Sequence, residues 1–139
     1  MFASRARLLV AALWAGSLWT IGYVVAPTLF LSLHDNAQAG TIVGMLLKTE
    51  AWLAMACAVI LYALVKFGDI EPARKRSLAM IITAMLVCAL VIYLGLQPVM
   101  AQMRASGLKG TSFGLLHGVS QLFYLLESVL AGVLLVKLR

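Results

Sequence analysis

LLVAALWAGSLWTIGYVVAPTLFLSL, residues 8–33, contains no charged side chain. As an α-helix at about 1.5 Å per residue the stretch reaches about 39 Å, more than the roughly 30 Å hydrocarbon core of a bilayer. The backbone polar groups of such a segment have no water to bond to in lipid, so they must satisfy one another, and the stretch is a helix. Working outward, three more apolar runs follow, and the spacing predicts helices over about 6–33, 36–66, 75–103 and 112–138. Asp35 or Asn36 caps the second, while Gly68, Asp69 and Pro72 separate it from the third. Gly107 and Gly110 break the chain before the fourth. Short links make successive helices antiparallel neighbours. The expectation is therefore all-α: a single integral membrane four-helix bundle running up-down-up-down.

The composition agrees. Of 139 residues, 63% are hydrophobic and 12% charged, against about 25% charged in an ordinary soluble chain. The net charge of +6 is gathered in clusters between apolar runs, which is membrane-flank patterning and not a nucleic-acid surface. Arg5, Arg7, Lys66, Arg74, Lys75, Arg76, Lys137 and Arg139 fall on one side, and Lys48, Arg104 and Lys109 on the other. The positive-inside rule then places both termini in the cytoplasm. The first apolar run is far longer than the ~7–15 residues of a signal peptide, so it reads as a span. Cys57 and Cys88 lie within apolar runs, without zinc-type spacing, and read as buried, reduced cysteines.

A repeat runs through the chain. Gly40-Thr41-x-x-Gly44 recurs as Gly110-Thr111-x-x-Gly114, and Tyr23 as Tyr93, at an offset of seventy residues. Pro27 and Pro98 match one residue out of step. Two repeated helical hairpins would give this pattern, as would chance among common residues.

Polar residues inside apolar helices mark candidate sites, because lipid penalises them. At 100° per residue, His117, Gln121, Tyr124 and Ser128 fall on one face of the fourth helix, with Ser120 and Glu127 on its flank. Leu115, Val119, Leu122, Leu126, Val129 and Val133 form the opposite, lipid-suited face. Glu127 is ten residues from Lys137, about 15 Å deep. It reads as a proton or cation site, as the counter-charge to a ligand, or as a hydrogen-bonding tie between helices. His117 reads as a metal or haem ligand, a proton relay, or a helix-start histidine bonded to a loop. His34, Met100 and Met103 join it on the outer side, and thioethers with imidazoles suit copper(I), though methionine packing explains the same residues. Tyr23, Gln97 and Lys48 fall near the same outer layer. Ala12, Gly16, Thr20 and Tyr23 form a small-residue face suited to close helix packing, as do Gly40 and Gly44. Trp14, Trp19 and Trp52 read as lipid-facing or interfacial.

Gly22-Tyr23-Val24-Val25-Ala26-Pro27-Thr28-Leu29-Phe30, Gln97-Pro98, and Phe113-Gly114-Leu115-Leu116-His117-Gly118-Val119-Ser120 together resemble a bacterial membrane family catalogued as domain of unknown function 4149. That family is similar to the eukaryotic transmembrane protein 205 group. The resemblance implies four membrane helices and no established biochemical activity. The eukaryotic relatives' association with platinum-drug resistance implies soft-metal handling or transport without giving a mechanism. Lys48 stands where the resemblance implies a basic residue.

No nucleophile–base arrangement, metalloprotease motif or phosphate loop occurs, so no catalytic residue is assigned and an enzyme is disfavoured. The leading expectation is a small ligand, metal or ion held in a polar pocket open to the non-cytoplasmic side, by His117, Gln121, Tyr124, Glu127, Tyr23, Gln97 and Lys48. The metal variant uses His117, His34, Met100 and Met103. The alternatives are an accessory subunit, whose polar stripe meets a partner's helix or a second copy, and a haem- or quinone-linked redox protein. The residues do not specify a cofactor. The bilayer is the one partner that composition requires, and nucleic acid is not one.

Overall fold

The computed structural model describes residues 2–107 and 110–139. Lys109, counted above among the basic residues of the sparser side, lies outside them. Four helices long and apolar enough to cross a membrane make up the chain: α1 Phe2–Ser32, α2 Asn36–Lys66, α3 Pro72–Ala105 and α4 Ser112–Leu138. The protein is an integral membrane four-helix bundle. Each helix packs on two neighbours in a ring, α1 on α2 and α4, and α3 on α2 and α4.

The helix ends follow local chemistry. The Asp35 carboxylate accepts from the Ala37 N–H at 2.8 Å and caps α2. Pro72, with no N–H to lose, sits in the first turn of α3. Gly107, at φ +69°, lets the chain leave α3. At the end that carries the termini, cationic side chains close exposed carbonyls and hydroxyls: Arg7 to Leu64 O at 3.2 Å, Lys75 to Lys66 O at 3.1 Å, Arg74 to Lys137 O, and Lys137 to Ser77 Oγ at 3.0 Å. Cations complement the negative ends of helix dipoles there.

The two halves of the bundle differ. Near the termini a close-packed core joins Ala11, Trp14, Ala15 and Leu18 of α1 to Ala54, Ala58 and Leu61 of α2, Leu78, Ile82 and Met85 of α3, and Ala131 and Leu134 of α4. Trp14 is fully buried, not lipid-facing as its type suggested, whereas Trp52 is exposed. The reason is its register, since 11, 14/15 and 18 form one stripe. The face expected to pack through small residues is displaced as well. Ala12, Thr20 and Tyr23 are exposed, and Gly16 has open space beside it. Close approach occurs instead at Gly22, whose α-carbon lies under the Tyr124 ring.

In the far half, α1 widens to π-helical geometry over Ile21–Val25 and α3 over Val91–Leu96, seventy residues apart. Each widened segment ends just before a proline, Pro27 or Pro98. The Ala26 and Gln97 N–H groups reach back to Ile21 O and Ile92 O. The extra residue in the second segment matches the one-residue slip between the prolines. Few residues are buried beyond these points, and the far half is splayed.

Candidate functional site

Two carboxyl groups lie in the interior. Glu50 of α2 is 4% exposed and Glu127 of α4 is 1% exposed. Both line one cavity of about 10 Å³, with Leu18, Leu47, Ala51, Ala89, Ile92 and Tyr124. That is space for about one water molecule. Glu50 Oε1 lies 3.1 Å from Ser17 Oγ, while Glu50 Oε2 and Glu127 Oε1 have no hydrogen-bond partner among the described residues. The Trp14 indole N–H sits beside the Glu127 carboxyl without closing a hydrogen bond of good geometry. Among the described residues no lysine or arginine bonds either carboxyl. Buried polar atoms without partners are rare and costly, so two on one cavity mark it as a site.

Register explains the pairing. At the seventy-residue offset Glu50 corresponds to Ser120 and Cys57 to Glu127, and all four are buried. Each helix thus turns two polar positions inward, two turns apart. The carboxyls occupy different levels and reach into the space between them. Tyr124 closes the cavity on the α1 side. Its hydroxyl donates to Leu18 O and meets the Gly22 N–H, the two groups that one α-helical turn would otherwise pair. A side chain inserted into the helix ladder loosens it where the π segment begins. The Tyr23 hydroxyl donates to Ser128 Oγ at 2.9 Å, the Trp19 indole donates to Ser128 O at 3.2 Å, and the Tyr23 and Tyr124 rings meet edge to face at 6.0 Å.

The residues expected to form one pocket are divided. Tyr124 and Glu127 line the interior cavity. Gln97 lines a separate groove in the far half. Tyr23 is half-exposed on the α1–α4 seam, and Lys48 is exposed. His117 and Gln121 are exposed, pair with each other at 3.2 Å, and leave the His117 ring stacked on Phe113. The inward face of α4 is Ser120, Tyr124, Glu127, Ala131 and Leu134, turned by roughly 70° from the face that polarity alone selects. His34 is exposed while Met100 is buried, and among the described residues no group of three or more His, Cys, Asp or Glu could hold a metal ion.

Sequence reasoning passed over Glu50. It stands beside Lys48, just before the strictly apolar stretch of the second run that begins at Ala51. A signal was present: Leu47, Glu50, Ala51, Ala54, Ala58 and Leu61 form a helical stripe, and Lys48 lies off it.

The far-half groove measures about 520 Å³ and is lined by Gly40, Gly44, Tyr93, Gln97, Pro98 and Arg104 among others. It follows the α2–α3 seam. Residues 40 and 44 lead on α2 to Leu47 and Glu50, and residues 97 and 93 lead on α3 to Ile92 and Ala89. Groove and cavity are consecutive stations on one seam.

A family model described as "Domain of unknown function (DUF4149)" matches residues 9–109, covering α1 to α3 and ending before α4. No curated protein and no solved structure matches the chain.

Proposed function

The chain belongs to this family, whose description names no activity, and we propose that it is a non-enzymatic membrane protein holding one exchangeable proton between Glu50 and Glu127. The single observation behind this reading is the pair of buried, unpartnered carboxyl oxygens facing one small cavity. Ser17 adds a count of protons. Its Oγ lies 2.9 Å from Trp14 O and 3.1 Å from Glu50 Oε1, and it has one proton to give. Both contacts become hydrogen bonds when Glu50 itself supplies the second proton. Two ionised carboxylates with no cation beside them would repel at this depth, which also favours a retained proton. The donor set and the cavity size suit a proton better than a metal ion, which needs several ligands.

The α2–α3 seam supplies the route, from the groove at the end opposite the termini. With both termini cytoplasmic in a bacterial inner membrane, as the basic asymmetry favours, the route opens on the non-cytoplasmic side. A second reading rests on another observation. His117 and Gln121 are polar side chains turned out of the bundle, where a helix of a partner protein or a second copy would satisfy them.

Infrared titration of the carboxyl region tests the main reading. The wild type is expected to give a protonated-carboxyl band that changes between acid and alkaline buffer, and Glu50→Gln is expected to shift the band left by Glu127. Spectra of Glu50→Gln and Glu127→Gln that superimpose on the wild type would sink the proposal. Band changes on adding a metal salt at fixed pH would assign the site to a metal ion instead.

A further inference from the structure

The far-half groove carries three polar side chains on one face of α3, Tyr93, Gln97 and Arg104. None of them makes a hydrogen bond or ion pair with another described residue. Arg104 and Gln97 are nevertheless folded onto α2. A Cβ at residue 40 would strike the Arg104 guanidinium, and one at residue 44 would lie 3.6 Å from Gln97 Oε1. The two glycines, with Ala37, Ala101 and Ala105, keep the space open. The Thr41 hydroxyl of α2 donates to Ala37 O at 2.9 Å. The groove's one formal charge is the Arg104 guanidinium, and no carboxylate is among its described lining residues.

The arrangement is graded along its length. The guanidinium stands at the mouth, near the end of α3. Gln97 lies two turns deeper and Tyr93 one turn beyond that, about 16 Å from Arg104 at the helical rise. Apart from Thr41, the remaining lining is apolar. A cation at the rim with hydrogen-bond donors deeper along the groove matches the order of the polar groups in a phospholipid, phosphate and then ester carbonyls. Guanidinium and phosphate pair through two parallel hydrogen bonds. The position fits as well, because a helix end beyond a membrane span lies at headgroup level.

We propose that this groove is a binding site for an anionic phospholipid of the adjacent leaflet, with its phosphate on Arg104, its glycerol esters at Gln97 and one acyl chain along the α2–α3 seam toward Tyr93. The proposal uses none of the carboxyl-pair observations, and a bound lipid would occupy the outer part of the seam given above as the proton's route.

Native mass spectrometry of the full chain, released from vesicles of phosphatidylglycerol mixed equally with phosphatidylcholine, tests it. The wild type is expected to retain one phosphatidylglycerol in preference to phosphatidylcholine. Arg104→Gln is expected to lower that retention about tenfold or more, the effect of losing a charged hydrogen-bonded pair. Gly44→Leu, which fills the groove and leaves the cation in place, is expected to lower retention of both lipids. Arg5→Gln, which removes a positive charge at the other end, is expected to change nothing. Helix content by circular dichroism confirms that each variant folds. Equal retention by the wild type and Arg104→Gln would overturn the proposal, as would undiminished retention by Gly44→Leu. So would displacement of the lipid by inorganic phosphate alone, which would make the site one for free anions. A lipid-free dimer that Gly44→Leu dissociates would give the groove to a second copy.

Discussion

Replacing Gly22 by alanine adds one methyl group where α1 and α4 approach most closely. The new Cβ would lie 2.6 Å from Tyr124 Cζ and 2.7 Å from its hydroxyl oxygen, with Cε1 nearer still. Carbon atoms rest about 3.5–4.0 Å apart, so the ring must retreat by roughly 1.5 Å. It has little freedom to do so. Its hydroxyl is bound to Leu18 O, and its edge meets the Tyr23 ring. Overpacking of this kind costs about 1–3 kcal/mol, and loosening the hydroxyl from Leu18 adds about 0.6 kcal/mol, the average for a hydrogen bond between membrane helices. Alanine's better helix propensity returns up to about 1 kcal/mol. The net expectation is destabilisation of about 1–2 kcal/mol. Gly16→Ala is the control, because nothing lies within 4 Å of its Cβ position. It keeps the propensity gain alone and should be neutral or up to about 1 kcal/mol more stable. Reversible unfolding in mixed micelles, followed by helix circular dichroism, measures both. Tyr124 also lines the carboxyl cavity, so Gly22→Ala should shift the infrared carboxyl band and Gly16→Ala should not. If the two variants agree within about 0.5 kcal/mol, the ordinary scatter of neutral substitutions, the close approach at Gly22 is not the contact that sets the α1–α4 geometry.

Trp14→Ala should cost about 3–5 kcal/mol, because the side chain is wholly buried, whereas Trp52→Ala should stay within about 0.5 kcal/mol by the same micelle assay. Glu127→Met should fold at least as stably as the wild type while abolishing the carboxyl titration, since it replaces an unpartnered buried carboxyl by an apolar group of similar length. A marked loss of stability would mean that the carboxyl is a structural tie. A reporter active only in the cytoplasm should be active at the C-terminus, and a signal from a periplasm-active reporter there would invert the topology. Lipid-borne crosslinkers should label positions 121, 122 and 126 in the isolated chain, and protection of 121 alone would point to a partner helix on the His117–Gln121 face.

The helices were legible in the sequence because a bilayer leaves a backbone few choices. A run such as residues 8–33 must satisfy its own amides, and length, charge clusters and short links then give four antiparallel helices. The seventy-residue offset read from Tyr23 and Tyr93 is also the spacing of the π-helical segments in α1 and α3. Which face of each helix meets another helix was not legible. Polarity ranks His117 and Gln121 with Glu127, and only the tertiary structure separates them. His117 lies on the outward face of α4, while Glu127 lies among α1 and α3 side chains. Trp14 and Gly16 were misassigned for the same reason. In lipid an apolar residue gains little from being inside rather than outside, so hydrophobicity carries no record of the inward face. Shape decides it, through the fit of Trp14 between helices and of the Tyr124 ring over Gly22. Glu50 lay hidden beside Lys48 in the sequence, and one step of 100° puts the first in the core and the second outside.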